Sequence, residues 1–231
     1  MRSNMNALTR FVLDIFYPNR CPCCDAFIKW DKLVCAKCHR ELEVVYDKTC
    51  HRCGKEVCIC SDSLQYEAAV CAFRYSELCR EGILSLKRGN NKNFGEYSGK
   101  LISYIMQRDY PDESFDIIVP VPMSRASYAQ RGYNQAEIIA SEISHFRNIP
   151  VRSDILYKSG SQTSQHFLSK SQRIKNVSSF GIRQIDLTGK SVILCDDVIT
   201  TASTVNRCAA LLKSAGAGKI LLACAAQSKM K

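Results

Sequence analysis

From Tyr66 onward, short apolar runs alternate with segments whose apolar residues recur every three or four positions. Tyr66–Tyr75 (YEAAVCAFRY) reads as a strand buried on both faces. Cys79, Ile83 and Leu86 share one helical face, which runs out at Lys87, Arg88 and Gly89, and Ser98–Gln107 is predicted as a second helix. Asp116–Val119 is a short apolar run ended by Pro120 and Pro122, after which Ala136, Ile139, Ala140, Ile143 and Phe146 repeat at helical spacing. Ser191–Cys195 is another apolar run. Val205, Cys208, Ala209 and Leu212 form the next helical stripe, Gly216 and Gly218 stop it, and Ile220–Ala225 is a last strand. Strands too short and too apolar to have a wet face, alternating with amphipathic helices, predict an α/β fold: a parallel sheet flanked by helices. The Ser/Gln-rich stretch Ser159–Ser179 reads as a long loop.

The start of the chain does not share this rhythm. Leu8–Tyr17 is apolar and ended by Pro18, which predicts a helix packing on the Cys-rich module. Between Cys21 and Cys60 the periodicity lapses, and nine of the chain's 14 cysteines collect there. The expected division is therefore residues 1–62, an N-terminal helix with a Cys-rich module, and residues 63–231, the α/β domain. A module of about 60 residues needs a staple to fold. Disulfides would serve in a secreted protein, but Asp14 interrupts the short N-terminal apolar run, which then fails as a signal-peptide core. No run approaches the roughly 18 apolar residues of a membrane span. The expectation is a cytoplasmic protein with thiols reduced or metal-bound.

Spacing favours metal. Cys21-Pro22-Cys23-Cys24 and Cys35-Ala36-Lys37-Cys38 offer Cys21, Cys24, Cys35 and Cys38 as four thiolates for one tetrahedral, structural Zn²⁺. Cys50-His51-Arg52-Cys53 and Cys58-Ile59-Cys60 offer Cys50, Cys53, Cys58 and Cys60 for a second, by a less regular pattern whose last pair is CxC. Pairing across the two sets, Cys23 in place of Cys24, and His39 or His51 as ligands stay open on spacing alone.

The densest chemistry lies at Ser191–Thr204, SVILCDDVITTAST. Two acids follow a buried strand, small hydroxyl residues follow the acids, and a helix then begins. Ligands of open α/β sheets collect at the carboxyl ends of strands, and a turn into a helix N-terminus presents unpaired N–H groups to a phosphate. Thr200, Thr201, Ser203 and Thr204 add hydroxyls, and the small Ala202 lets the backbone approach. Carboxylates repel a phosphate but accept hydrogen bonds from ribose hydroxyls, and one can hold the water shell of Mg²⁺. Helix capping alone would use one Asp rather than Asp196 and Asp197 together. Arg125 and Arg131, near Met123 and Ser124, can bind phosphate oxygens, although Arg131-Gly132 alone also fits a surface turn.

Residues 191–204 resemble the signature of type I phosphoribosyltransferases, with Ala202 where that signature usually has Gly; Ala is tolerable there if φ is negative and costly otherwise. The resemblance implies that Asp196 and Asp197 bind the ribose hydroxyls of PRPP and that Thr200 to Thr204 bind its 5′-phosphate. It also places a pyrophosphate loop at Met123, Ser124 and Arg125, with Arg131 beyond it, and a catalytic loop at Lys158–Phe180 carrying Gln165, Arg173 and Asn176. The ordered set of apolar start, CPxC, three more Cys pairs, LSLKRGNN, VPVP, RGYNQA and CDDVITTAST resembles the ComF family of amidophosphoribosyltransferase-like competence proteins over essentially the whole chain.

That resemblance implies natural transformation, with incoming single-stranded DNA and a helicase or recombination protein of the uptake machinery as partners. The net charge of +10, with six Lys/Arg against one acid between Lys158 and Lys190, suits an anionic ligand or a nucleic-acid backbone, or simply a solvated loop. Lys87, Arg88, Lys92, Gln165, Arg173 and Lys175 are the candidate contacts to DNA or within the loop. Phe94, Tyr97 and Tyr133 lie near basic segments, where an exposed ring could stack on a base and a buried one would serve the core. Three readings remain: a transformation factor binding PRPP with Mg²⁺ and DNA, an active phosphoribosyltransferase acting on a base or an unknown acceptor, and a PRPP-sensing regulator. The short C-terminus, with no evident hood over a base, weighs against nucleotide salvage.

Overall fold

The computed structural model describes residues 18–89, 91–159 and 179–228. The predicted helix at Leu8–Tyr17 and the loop residues Gln165, Arg173, Lys175 and Asn176 lie outside them. The Cys-rich region holds one short helix, α1 (Ala36–Glu41), and a 3₁₀ turn at Tyr46–Lys48. Then come β1 (Ala68–Arg74), α2 (Glu77–Lys87), α3 (Asn93–Asp109), β2 (Ile117–Pro120), α4 (Arg125–Arg131), α5 (Gln135–Arg147), β3 (Leu156–Lys158), β4 (Phe180–Ile182), β5 (Ser191–Ile199), α6 (Ser203–Ser214) and β6 (Lys219–Gln227).

β1, β6, β5 and β2, in that order, form one parallel sheet, and β3 pairs antiparallel with β4. Alternate residues of β5 go to opposite faces. Ile193 and Cys195 join the core with Phe94, Ile102, Ile139 and Ile143 of α3 and α5, while Val192 and Leu194 join Val205, Cys208 and Leu212 of α6. Burial on both faces is why this strand reads as one apolar run. It continues through the two acids to Ile199, four residues beyond the predicted run.

The Cys-rich region is not a separate body. Cys21, Cys23, Val34, Cys38, Leu42 and Tyr46 lie in the same core as Val70, Phe73 and Phe94. It also covers the open edge of β1: the Val45 amide donates to the Ala72 carbonyl, Arg74 to Glu43, and Ala69 to His51. An uncovered edge would leave those groups unpaired and sticky. At the opposite edge Ile118 exchanges bonds with Pro150 and Arg152.

α3 begins five residues before the predicted Ser98. Its first turns carry Gly95 and Gly99, weak helix formers that let α5 come close; a Cβ on Gly95 would lie 2.8 Å from Ile138 Cγ2, and one on Gly99 2.7 Å from Glu142 Cβ.

Candidate functional site

Because all four sheet strands are parallel, their carboxyl ends share one edge, and β5 delivers Asp196 and Asp197 there. A cleft of about 240 Å³ opens at that point, lined by Asp196, Asp197, Thr204, Met123, Ser124 and Arg131, with Lys87, Ser127, Asn134, Gln135, Lys158 and Phe180. Thr200, Thr201 and Ser203 sit exposed in the turn leading to Thr204, and Ala202 is buried beneath them. Arg125 is exposed and does not line the cleft.

The acid pair sits against Lys87, one of the cations expected to contact DNA or the loop. Half-buried Lys87 Nζ lies 2.7 Å from Asp197 Oδ2. Burial alone would pull this ammonium's pKa down, but Asp197, with Asp196 farther off, holds it above its ordinary value. Burial, and then the charge of Asp197, push the Asp196 carboxyl up to about 8, although the Asp197 amide donates to its Oδ1 at 2.8 Å. The two carboxyls are therefore not equivalent bare charges: burial disfavours the ionised form of Asp196, and Asp197 is paired with Lys87.

The opposite wall is the loop Val121–Ser124. Ser124 caps α4 by accepting from the Ser127 amide at 3.2 Å. Gly132 ends that helix at φ +78°, so Arg131-Gly132 is a turn and also brings Arg131 to the cleft. The rest of RGYNQ holds the wall in place: buried Tyr133 donates to the Leu86 carbonyl at 2.7 Å, beside Lys87, and buried Asn134 donates to the Val121 carbonyl at 2.9 Å while capping α5. Arg131 donates to Gln135 Oε1 at 3.2 Å, and the buried Gln135 Nε2 donor finds no partner among the described residues. Sequence reasoning gives Asn134 and Gln135 no role beyond their place in the motif, although Asn ahead of a helical stripe is a readable cap signal. It misses Lys158 and Phe180 as cleft residues, at the ends of β3 and β4, because a Lys beside a long polar stretch gives no signal of burial.

Across the cleft, α6 starts at Ala202 with no side-chain cap and no acid in its first turn. The open amides and the positive end of the helix dipole thus face outward beside the acid pair. Ala202 has φ +60°, the costly case for this departure from glycine. A second, larger recess of about 690 Å³ holds Arg88 and Lys92 with Arg20, but also Asp25, Glu81 and Glu96, and Arg20 is paired with Asp25 at 3.0 Å. Its mixed charge is not that of a polyanion groove. Phe94 and Tyr133 are buried and Tyr97 packs against the core, so all three rings serve packing and not base stacking.

The cysteines converge in two groups, Cys21, Cys24, Cys35, Cys38 and Cys50, Cys53, Cys58, Cys60, with the sulfurs of each within 4.8 Å of one another. Thiolates about 2.3 Å from a tetrahedral Zn²⁺ stand roughly 3.8 Å apart. Cys24–Cys35 at 3.7 Å, Cys50–Cys58 at 3.8 Å and Cys50–Cys60 at 3.5 Å fit this. Backbone amides of Cys38 and Ile59 point at Cys35 and Cys53 Sγ; amide neighbours pull Cys35 and Cys50 down to about 7, while burial pushes Cys24, Cys38, Cys53 and Cys60 up, the direction a bound cation would have to reverse. Pairing stays within each set. Cys23 is buried in the core and serves neither, while His39 bonds Tyr97 and His51 stacks on Tyr46. The closed four-sulfur donor sets fit structural zinc.

Residues 12–81 match the double zinc ribbon domain, and residues 91–231, more than half of the chain, match the phosphoribosyl transferase domain. The chain belongs to the phosphoribosyl transferase domain family. Curated relatives include Competence protein F of Haemophilus influenzae, 33% identical over 108 residues (46% of this chain, 47% of that protein). The DNA utilization protein YhgH of Escherichia coli K12 is 30% identical over 109 residues (47% and 48%), and Competence protein ComFC of Bacillus subtilis is 25% identical over 203 residues (82% and 81%). A double zinc ribbon ahead of this domain, with these relatives, places the chain in the ComF family. The match spans about half the length of the first two relatives. Among solved structures, a purine phosphoribosyltransferase of Pyrococcus horikoshii aligns with a TM-score of 0.37 at 20% identity, over 57% of this chain and 74% of that one. Glutamine PRPP amidotransferase of B. subtilis aligns at 0.35 and 21%, over 62% and 27%. No helix among the described residues is long and apolar enough to cross a membrane.

Proposed function

We propose that the cleft binds PRPP through its ribose 5-phosphate and pyrophosphate, and that the protein uses this site in handling single-stranded DNA during natural transformation. The observation that carries the reading is the convergence on one cleft of an acid pair, an uncapped helix start and an arginine-bearing loop, three groups with different chemistry. Asp196 and Asp197 take the 2′- and 3′-hydroxyls as acceptors. The amides and hydroxyls of Thr200–Thr204 take the 5′-phosphate at the start of α6. Met123, Ser124 and Arg131 face the pyrophosphate, where the unpartnered Gln135 donor is also available. Lys87 and Lys158 offset the ligand's negative charge.

Magnesium fits as a companion of the ligand. Asp197 is already paired with Lys87, so Asp196, through water, would be the protein group that holds the ion. Bound there, the ion would neutralise the pyrophosphate charge. The partner reading rests on the names of the relatives and on the net charge of +10. A helicase or recombination protein of the uptake machinery is the further partner this implies, in the cytoplasm.

Calorimetry with PRPP and Mg²⁺ tests the site. Asp196→Ala combined with Asp197→Ala is expected to lower affinity at least a hundredfold with unchanged circular dichroism; wild-type affinity in that variant would reject the assignment. In the same series, affinity for an oligo-dT strand is expected to fall steeply with salt, since phosphate contacts release counterions. A flat response would point to a protein partner instead. Pyrophosphate release on mixing PRPP with that strand would identify a transferase.

A further inference from the structure

Two residues just past Cys53 of the second zinc knuckle reach across the sheet edge that carries the cleft. Lys55 is only 2% exposed. Its Nζ donates to the Ile199 carbonyl at 3.3 Å and to the Ser228 carbonyl. Ile199 is the last residue of β5 and the immediate neighbour of Thr200, and Ser228 follows β6 and donates its own amide to the same Ile199 carbonyl at 2.9 Å. The adjoining Glu56 accepts from Arg74 Nε at 3.0 Å and from Gln227 Nε2 at 2.7 Å, which are the last residues of β1 and β6. The Lys55-Glu56 dipeptide therefore ties together the carboxyl ends of three adjacent strands.

The dipeptide is itself fixed by the knuckle. The Cys50 amide donates to the Lys55 carbonyl at 2.9 Å and the Gly54 amide to the Cys50 carbonyl at 2.7 Å. Gly54 holds φ +73° beneath Cys71, where an added Cβ would lie 2.7 Å from the Cys71 Sγ and 3.4 Å from Ile199 Cδ1, so no other residue fits. A buried ammonium is costly unless its donors are used, and here two of them hold strand ends. Parallel strands stop bonding one another at this edge. Without Lys55, the backbone leading into the Thr200–Thr204 turn would lose this hydrogen bond to the ribbon.

We infer that Lys55 and Glu56 are positioning residues for the sugar-phosphate site, and that zinc at the Cys50/Cys53/Cys58/Cys60 centre keeps the 200–204 turn in its binding conformation. The ligand side of this inference rests on the cleft's binding PRPP as proposed; the coupling itself does not.

Hydrogen–deuterium exchange of peptides covering residues 196–206, together with zinc content and calorimetry using ribose 5-phosphate, separates the two. Lys55→Met in the full chain is expected to keep both zinc ions, to raise exchange over 196–206 at least tenfold, and to weaken ribose 5-phosphate at least tenfold. Cys60→Ser, which removes one ligand of the second centre, is expected to reproduce both effects while the near-ultraviolet circular dichroism of the buried tyrosines persists, and the double variant to add little. Arg108→Ala breaks a different ribbon contact, to Asp47 at 2.6 Å, which does not touch the strand ends; it should leave exchange over 196–206 unchanged. Should Lys55→Met not fold, Glu56→Gln serves in its place, with exchange raised at least threefold. Wild-type exchange in Lys55→Met or Glu56→Gln, or equal acceleration in Arg108→Ala, would overturn the coupling. A wild-type protein that ignores ribose 5-phosphate would overturn the ligand reading while leaving the exchange comparison to decide the coupling.

Discussion

Ala202 stands at φ +60°, ψ −1°, a left-handed backbone in which Cβ crowds the following carbonyl. The residue is nearly buried, so the site accepts the strain together with a small side chain that keeps the turn close to whatever lies above it. Relieving that crowding is worth roughly 1–2 kcal/mol, and the greater freedom of glycine in the unfolded chain gives back part of it. Ala202→Gly is accordingly expected to stabilise the protein by about 1 kcal/mol in urea unfolding. Unchanged or lower stability would mean that the turn is not left-handed in solution. At the same scale, the acid pair shows why composition misleads about charge. Asp196 and Asp197 count as two negatives in the sequence, yet burial pushes one up to about 8 and Lys87 pairs with the other at 2.7 Å.

At the level of elements, the cleft is a junction of β2, α4 and α5 on one wall with β5 and α6 on the other, and Asn134 is the side chain that sets the first wall. It accepts from the Ala136 amide at 3.1 Å as the cap of α5 and donates to the Val121 carbonyl at 2.9 Å, and it is 6% exposed. Asn134→Ala loses a cap, about 1 kcal/mol, and strands a buried carbonyl, about 1–2 kcal/mol more. Thermal unfolding should show that loss, and PRPP affinity should fall as well, because Val121 and Pro122 lead straight into Met123 and Ser124. A stability loss with unchanged affinity would confine Asn134 to helix capping. Those roles are hidden in the sequence, where RGYNQ reads as a weak motif and the hydrogen bonds that explain it run to residues 13 and 47 positions away. What is legible has short-range causes. The doubly buried strands declare themselves by apolar runs, α5 and α6 by their stripes, and the turn after β5 by the density of small hydroxyls after two acids. Helix α4, with no buried residue, and the three-residue strands β3 and β4 have no pattern to read.

For the molecule as a whole, the question is whether the zinc ribbon is an appendage or part of the fold, and the burial pattern favours the second. Cys21, Cys38, Leu42 and Tyr46 pack into the core that also holds Phe73, Phe94 and Ile193, and residues 43, 45 and 51 complete the edge of β1. A ribbon with its own core would melt by itself and leave the α/β domain's transition in place. Here, losing the ribbon strips one face of the sheet, opens an edge strand and frees the strand ends held by Lys55 and Glu56. Structural zinc contributes about 10–16 kcal/mol of apparent folding free energy per site in comparable peptides, against a net stability of about 5–15 kcal/mol for an ordinary domain. Removing both ions should therefore unfold the chain as one unit. Scanning calorimetry of the zinc-loaded protein is expected to show one transition, and a strong chelator should abolish it, together with the near-ultraviolet circular dichroism of the buried tyrosines. A chelated protein that kept an α/β transition at its original temperature would show that the ribbon is dispensable to the fold, and that the contacts along β1 are too weak to couple the two.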